Sequence, residues 1–184
     1  MSLKDIPVLQ NSFSVDYHCR VFELRSPIGV DLPVNQNMET ITGPEQKFTA
    51  IWDTGATGCS ITKHVADSIG VAPIGLVRVG GVHDIQQVNA YLVSLYLPNR
   101  FCFAEVQVTE LGDCAGCDVL IGMDIIGKGD FTVNSLGGKT SFTFRIPSLY
   151  KNNYAKFRLK DNMPCPCGSG NMYKNCCKKY IIYP

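Results

Sequence analysis

No apolar run in this chain of 184 residues comes near the ~20 that a membrane-spanning helix requires, so no bilayer span is expected. The opening stretch, Met1-Ser2-Leu3-Lys4-Asp5-Ile6-Pro7, lacks the apolar core of a secretory leader. There is no internal repeat, and hence no second, pseudo-symmetric lobe to expect. Composition argues against disorder, because 45% of the residues are hydrophobic, enough to bury a core. Net charge is nearly absent at +1, but its signs are unevenly spread. Residues 1–148 carry ten basic and fifteen acidic side chains, whereas residues 149–184 carry seven basic and one acidic. That shift places a junction near Pro147 to Tyr150 and predicts one main domain with a small appendage. Cysteine is not scarce. The nine cysteines are an odd number, and four of them crowd the last twenty residues. This distribution argues against a secreted disulfide framework. It favours metal ligands and free thiols in a reducing compartment, so the expected location is cytoplasmic.

The elements read as many short strands punctuated by glycine and proline, which predicts an all-β barrel or sandwich. Residues 1–14 show no periodicity and are expected to form an arm. Val15 to Leu24 mixes β-branched and aromatic residues in near alternation and reads as a strand. Phe48 to Trp52 is a short buried strand. Thr62 to Ile69 reads as a helix that Thr62 caps and Gly70 ends. Gly75 to Val79 and Val82 to Val88 flank Gly80-Gly81, a hairpin signature. Val88 to Leu97 and Phe101 to Thr109 read as further strands around a turn at Pro98-Asn99. Phe131 to Asn134 and Thr140 to Ile146 form a last hairpin around Gly137-Gly138.

Within this pattern, the segment Asp53-Thr54-Gly55-Ala56 carries chemistry. An apolar run, Phe48 to Trp52, leads into it, and Thr57-Gly58-Cys59-Ser60-Ile61 leads out. A second signal follows much later, Asp118-Val119-Leu120-Ile121-Gly122-Met123-Asp124. Together the two resemble the retropepsin family of aspartic proteases. The resemblance implies a closed acid-protease β-barrel over residues 15–148 and a catalytic role for Asp53, Thr54 and Gly55. It also implies that Leu120, Ile121 and Gly122 cross near the Asp53 loop and support it.

Peptide hydrolysis needs one group to take a proton from water while another gives one to the carbonyl oxygen, and two carboxylates sharing a proton do both. Like charges so close cannot both ionise, so such a pair stays singly protonated over a wide pH range. The chain has one Asp-Thr-Gly, so the resemblance implies a homodimer with one Asp53 from each copy. Gly55 lets the backbone approach the carboxyl and donate its N–H. The family's matching threonine bonds across the dimer axis, which implies the same for Thr54. Ala56 stands where pepsin-like enzymes carry a hydroxyl that would lower the carboxyl pKa, so a pH optimum nearer neutral is expected.

Retropepsins close a glycine-rich hairpin over the substrate to exclude water. Arg78-Val79-Gly80-Gly81-Val82-His83 fits that part best. The resemblance therefore implies substrate contacts from Val79, Gly80, Gly81 and Val82, with Ala56 beside them. An ordinary surface hairpin reads equally well from the residues alone.

The tail, Pro164-Cys165-Pro166-Cys167-Gly168-Ser169-Gly170-Asn171-Met172-Tyr173-Lys174-Asn175-Cys176-Cys177, resembles the SEC-C zinc motif of the bacterial protein-translocation motor. There the motif docks onto a partner protein and ribosomes. The resemblance implies one structural zinc per chain, held by Cys165, Cys167, Cys176 and Cys177. A segment this short cannot bury a core, so the metal would supply its folding energy. Lys174, Lys178 and Lys179 suit an acidic partner, and a solvated basic face accounts for them equally well.

Cys114 and Cys117 have CxxC spacing in what reads as a loop, while Cys59 and Cys102 sit in apolar surroundings and read as core. The expected organisation is an arm (1–14), a protease-like domain (15–148), a basic linker (149–162) and a zinc module (163–184). The expected function is a bacterial, homodimeric aspartic endopeptidase whose zinc module targets a partner or substrate, with no membrane. The alternatives are a non-catalytic peptide-binding adaptor or a zinc-dependent interaction protein on the same fold.

Overall fold

The computed structural model describes residues 12–34, 43–80, 85–112, 116–146, 148, 161–162 and 172–175. The chain divides into two compact units, residues 1–147 and 148–184. In the second, the described residues form a turn at Asp161 and a short 3-10 turn over Tyr173–Asn175, with the Lys174 N–H donating to the Asp161 carbonyl at 3.1 Å. Among the described residues, no helix is long and apolar enough to cross a membrane.

The first unit is all-β and contains a closed barrel. Its strands are β1 (Ser12–Asp16), β2 (Leu24–Asp31), β3 (Phe48–Trp52), β4 (Ser60–Thr62), β5 (Gly75–Gly80), β6 (Ile85–Tyr96), β7 (Cys102–Leu111), β8 (Val119–Ile121), β9 (Asp130–Asn134) and β10 (Ser141–Arg145). Two short helices, α1 (Lys63–Ile69) and α2 (Met123–Ile126), interrupt them. One sheet runs β2-β3-β8-β4-β7-β6-β5, and β2 also pairs with β6. That extra pairing, Gly29↔Tyr96 to Asp31↔Ser94, closes six strands into a ring and leaves β5 outside it. Closure removes the exposed edges that an open sheet would present. Two of the seams are parallel, β3 with β8 and β4 with β7. The barrel is filled by alternate residues of its strands, among them Ile28, Val30, Ala50, Ile61, Val93, Leu95, Val108, Val119 and Ile121, all buried.

A second sheet, β1-β10-β9, is antiparallel throughout. Its Phe13, Phe131, Phe142 and Phe144 surround Trp52 with ring centroids 5.0 to 5.8 Å away. Each such aromatic pair contributes about 0.5–1.5 kcal/mol beyond the area buried. The Trp52 indole N–H is satisfied by Ser26 Oγ at 2.9 Å. This cluster fixes the last residue of β3, and the next residue is Asp53.

Local signals hold where they are self-contained. Thr62 caps α1 by accepting from the Val65 N–H, and Gly70 ends the helix in the left-handed region at φ 69°. Other expectations need correction. The strand expected over Val15 to Leu24 is two elements in different sheets. Buried Thr140 captures the intervening chain: Tyr17 N–H donates to its carbonyl, Val21 N–H to its Oγ1, and its own N–H to the Cys19 carbonyl. β1 also begins at Ser12, inside the expected arm, because the register with β10 starts at Ser12↔Arg145. The two strands expected over Val82 to Val88 and Val88 to Leu97 are one, β6, whose partner changes from β5 to β7 at Ala90.

Candidate active site

The turn after β3 is built from backbone bonds to a distant segment. Asp53 N–H donates to the Ile121 carbonyl at 3.0 Å, Met123 N–H to Ala56 at 2.9 Å, and Asp124 N–H to Thr57 at 3.1 Å. Together with the parallel β3–β8 ladder, these bonds set the Asp53 turn directly against Leu120, Ile121 and Gly122. Gly122 is required by contact rather than by φ. A Cβ there would lie 2.5 Å from the Gly58 carbonyl oxygen, so the two backbones touch.

Within the turn, Gly55 N–H donates to Asp53 Oδ1 at 2.7 Å, and Ala56 N–H donates to the Asp53 carbonyl at 3.3 Å. A Cβ on Gly55 would crowd that same carboxylate oxygen at 3.1 Å. Asp53 is half-buried, and Thr54 and Gly55 are exposed. One carboxylate oxygen is thus held by an amide, while Oδ2 has no hydrogen bond among the described residues. Such a group is oriented and still able to take or give a proton.

Behind the turn lies a second carboxylate to which the sequence assigned no role. Asp124 Oδ2 accepts from the Cys59 N–H at 3.1 Å, and Oδ1 accepts from the Cys59 thiol at 3.1 Å and the Ile125 N–H at 2.9 Å. Cys59 in turn accepts from the Gly122 N–H at 3.3 Å. Burial pushes the Cys59 thiol pKa up, the Gly122 amide opposes it, and neighbouring Asp124 adds to the rise. Cys59 is therefore a thiol at every working pH, and its core placement matches the sequence expectation. Asp124 lay within the second signal, two residues past its glycine, and its chemistry was legible there as a carboxylate beside a loop of free N–H groups. Asp118 serves similarly at the other end, accepting from the Thr49 N–H at 2.8 Å.

The hairpin of β5 and β6 stands apart from the barrel ring. Val79 and Gly80 lie at its described end, and Gly81, Val82 and His83 lie outside the described residues. Leu76 is 61% exposed, Ile85 75% and Val79 37%, an unusual density of bare apolar side chains. Ala56 is half-buried beside Gly55. The remaining expected sites divide. Cys165, Cys167, Cys176, Cys177 and Cys114 lie outside the described residues, and among the described residues no cluster of His, Cys, Asp or Glu could hold a metal. Cys117 is buried before β8, where its thiol donates to the Val119 carbonyl at 3.4 Å. Cys102 is half-buried rather than core, because it lies at the first position of β7, where the strand only begins to pair.

No protein-family model matches the chain, and no curated protein is similar to it at a significant level. Among the solved structures that resemble it in part are three proteases or protease-like domains. A retropepsin-like aspartic protease from Rickettsia conorii is 16% identical, with a TM-score of 0.47 over 72% of this chain and 92% of that one. The protease of simian foamy virus is 17% identical, with a TM-score of 0.37 over 55% and 92%. The retroviral protease-like domain of Ddi1 from Leishmania major is 20% identical, with a TM-score of 0.40 over 61% and 82%. These likenesses are too distant to assign an activity, so the functional reading rests on the turn itself.

Proposed function

We propose that the chain is an aspartic endopeptidase active as a homodimer, with Asp53 of each copy forming the catalytic pair. The observation that carries this reading is the Asp53 carboxylate, held at one oxygen by Gly55 and with no hydrogen bond at the other among the described residues, in a turn locked by Gly122. One carboxylate cannot act as base and acid in the same step, and each chain offers one such turn. In the pair, one Asp53 is ionised and the other protonated. The ionised carboxylate takes a proton from water as its oxygen attacks the peptide carbonyl, and the protonated one gives its proton to the carbonyl oxygen. The tetrahedral intermediate then breaks its C–N bond as one Asp53 gives a proton to the leaving amine and the other takes one from a hydroxyl of the intermediate, which leaves acid, amine and a singly protonated pair.

Thr54, exposed at the turn, would bond to the second copy. The β5–β6 hairpin, whose described end carries Val79 and Gly80, would close over a bound peptide, with Gly81 and Val82 proposed from the sequence as further substrate contacts. Four thiolates of the tail, Cys165, Cys167, Cys176 and Cys177, have the donor set for a structural zinc. A zinc-stabilised tail would serve targeting, to an acidic or ribosome-associated partner, in a cytoplasmic setting that fits the thiol-rich composition.

The test is cleavage of a diverse peptide library by the wild-type chain and Asp53→Asn, across about pH 4 to 8, with zinc present. Cleavage by wild type that falls on the order of 10³-fold or more in Asp53→Asn supports the reading. Equal cleavage by both, or a strictly monomeric chain that still cleaves, sinks the paired-carboxylate mechanism. Peptide binding without cleavage in either would favour the adaptor.

A further inference from the structure

β6 belongs to two structures at once. Residues 90–96 are laddered to β7 in the barrel, and residues 85–90 are laddered to β5 in the hairpin. The strand leaves the barrel at Ala90↔Thr109, the last register pair with β7. One residue further out, Glu110 of β7 reaches across to the departing strand. Its Oε2 accepts from Asn89 Nδ2 at 2.9 Å and also from the Tyr91 hydroxyl. Asn89 and Tyr91 are two apart, so both point to one face of β6 and straddle the departure point. Tyr91 is buried in the barrel, and Asn89 sits opposite Leu76 in the hairpin. One carboxylate oxygen therefore ties the barrel part of the strand to its hairpin part. The same stretch of β7 is fixed from behind by Thr109, whose N–H donates to the Cys59 carbonyl at 3.1 Å and whose hydroxyl bonds Ser60 Oγ at 2.7 Å. Cys59 belongs to the locked turn that follows Asp53.

We propose that Glu110 is a positioning residue, fixing the angle at which the β5–β6 hairpin leaves the barrel and so where its exposed Leu76, Val79 and Ile85 meet a peptide substrate. This rests on the protease reading for its consequence, though not for the clamp. Hydrogen bonds to an ionised acceptor are stronger than neutral ones, and here two share one oxygen at a point where the backbone ladder has just ended. Beyond it, the backbone ladder of the hairpin among the described residues is its own internal one.

The experiment compares amide hydrogen exchange in wild type, Glu110→Ala, Glu110→Gln and Tyr91→Phe, alongside kcat and KM for a cleaved peptide. In Glu110→Ala, amides of residues 85–89 should exchange about tenfold faster, with β3 and β8 unchanged. Glu110→Gln keeps an acceptor and should recover part of that protection. Tyr91→Phe keeps the buried ring, guards against a simple folding failure, and should loosen the hairpin to a lesser degree. KM should rise more than kcat falls. Unchanged hairpin exchange in Glu110→Ala overturns the clamp. Faster hairpin exchange with unaltered KM and kcat overturns the positioning role. If the wild type cleaves nothing, the protease reading fails, and the exchange comparison alone decides the clamp.

Discussion

The Asp53 turn and the β5–β6 hairpin are both glycine-containing connections, yet they are held in opposite ways. The turn is bonded to a segment some sixty-five positions away by five N–H donors and a glycine–glycine backbone contact, with the Trp52 cluster beneath it. Among the described residues, the hairpin bonds mainly to itself, and none lies within 4 Å of where a Cβ on Gly80 would stand. A side chain could be added to Gly80 without displacing anything, whereas at Gly122 it would collide with main chain. The difference teaches which part must be rigid. A carboxylate that handles protons needs fixed geometry before substrate arrives, and a cover must move to admit it.

If that contrast holds, the largest effects come from beneath the turn. Trp52→Ala removes the ring that four phenylalanines surround and should lower stability by about 3–5 kcal/mol in denaturant unfolding. A loss under about 1 kcal/mol would show that the aromatic cluster does not anchor β3. Gly122→Ala should follow at about 1–3 kcal/mol, because the added methyl must push Gly58 away. In that variant peptide cleavage should fall further than stability explains, since Asp53 and Ala56 bond to the flanking residues. Gly80→Ala is the control and should leave stability within about 0.5 kcal/mol.

Smaller effects are expected in the hairpin, and of a different kind. Leu76→Ser or Ile85→Ser removes an exposed apolar side chain and should leave the unfolding midpoint nearly unchanged. Each should nevertheless raise KM for peptide substrates. A drop in stability with no change in KM would mean these residues pack within the chain rather than against a ligand.

How much of this was legible depends on how far apart the partners lie. The Asp53 turn, the helix from Thr62 to Gly70, the Gly80-Gly81 hairpin and the final hairpin are written in neighbouring residues, where turn chemistry and capping act. The six-strand closure is not, because β2–β6 pairing and the two parallel seams join segments with no local mark of each other. The break after Asp16 was hidden for the same reason, as its cause is Thr140, more than a hundred residues on. In the site, Asp53, Gly55 and Gly122 are named through the family resemblance that the two motifs carry. Asp124 was in view without a role, and Glu110 was invisible because its importance comes from where β6 changes partners.

The subtlest expected difference between the two regions is their response to acid. Hydrogen bonds from Tyr91 and Asn89 hold the Glu110 carboxyl below its ordinary range; burial opposes them, Lys63 on α1 adds to the lowering, and Asp67 beside it acts against. The Tyr91 hydroxyl is correspondingly pushed up, to about 12, by burial first and Glu110 second, so it stays a donor. A carboxyl depressed in the folded state stabilises it above the unfolded pKa and loses that contribution as pH falls through the folded value. Hairpin exchange, corrected for the intrinsic pH dependence of the chemistry, should therefore stay slow near neutral pH. It should quicken only once pH drops below the usual glutamate range. Amides of β3 and β8 that are tied by backbone bonds should show no such step, Thr49 being set aside because its N–H donates to the Asp118 carboxylate. In Glu110→Gln the step should vanish from the hairpin as well, and its persistence there would assign the acid sensitivity to another group.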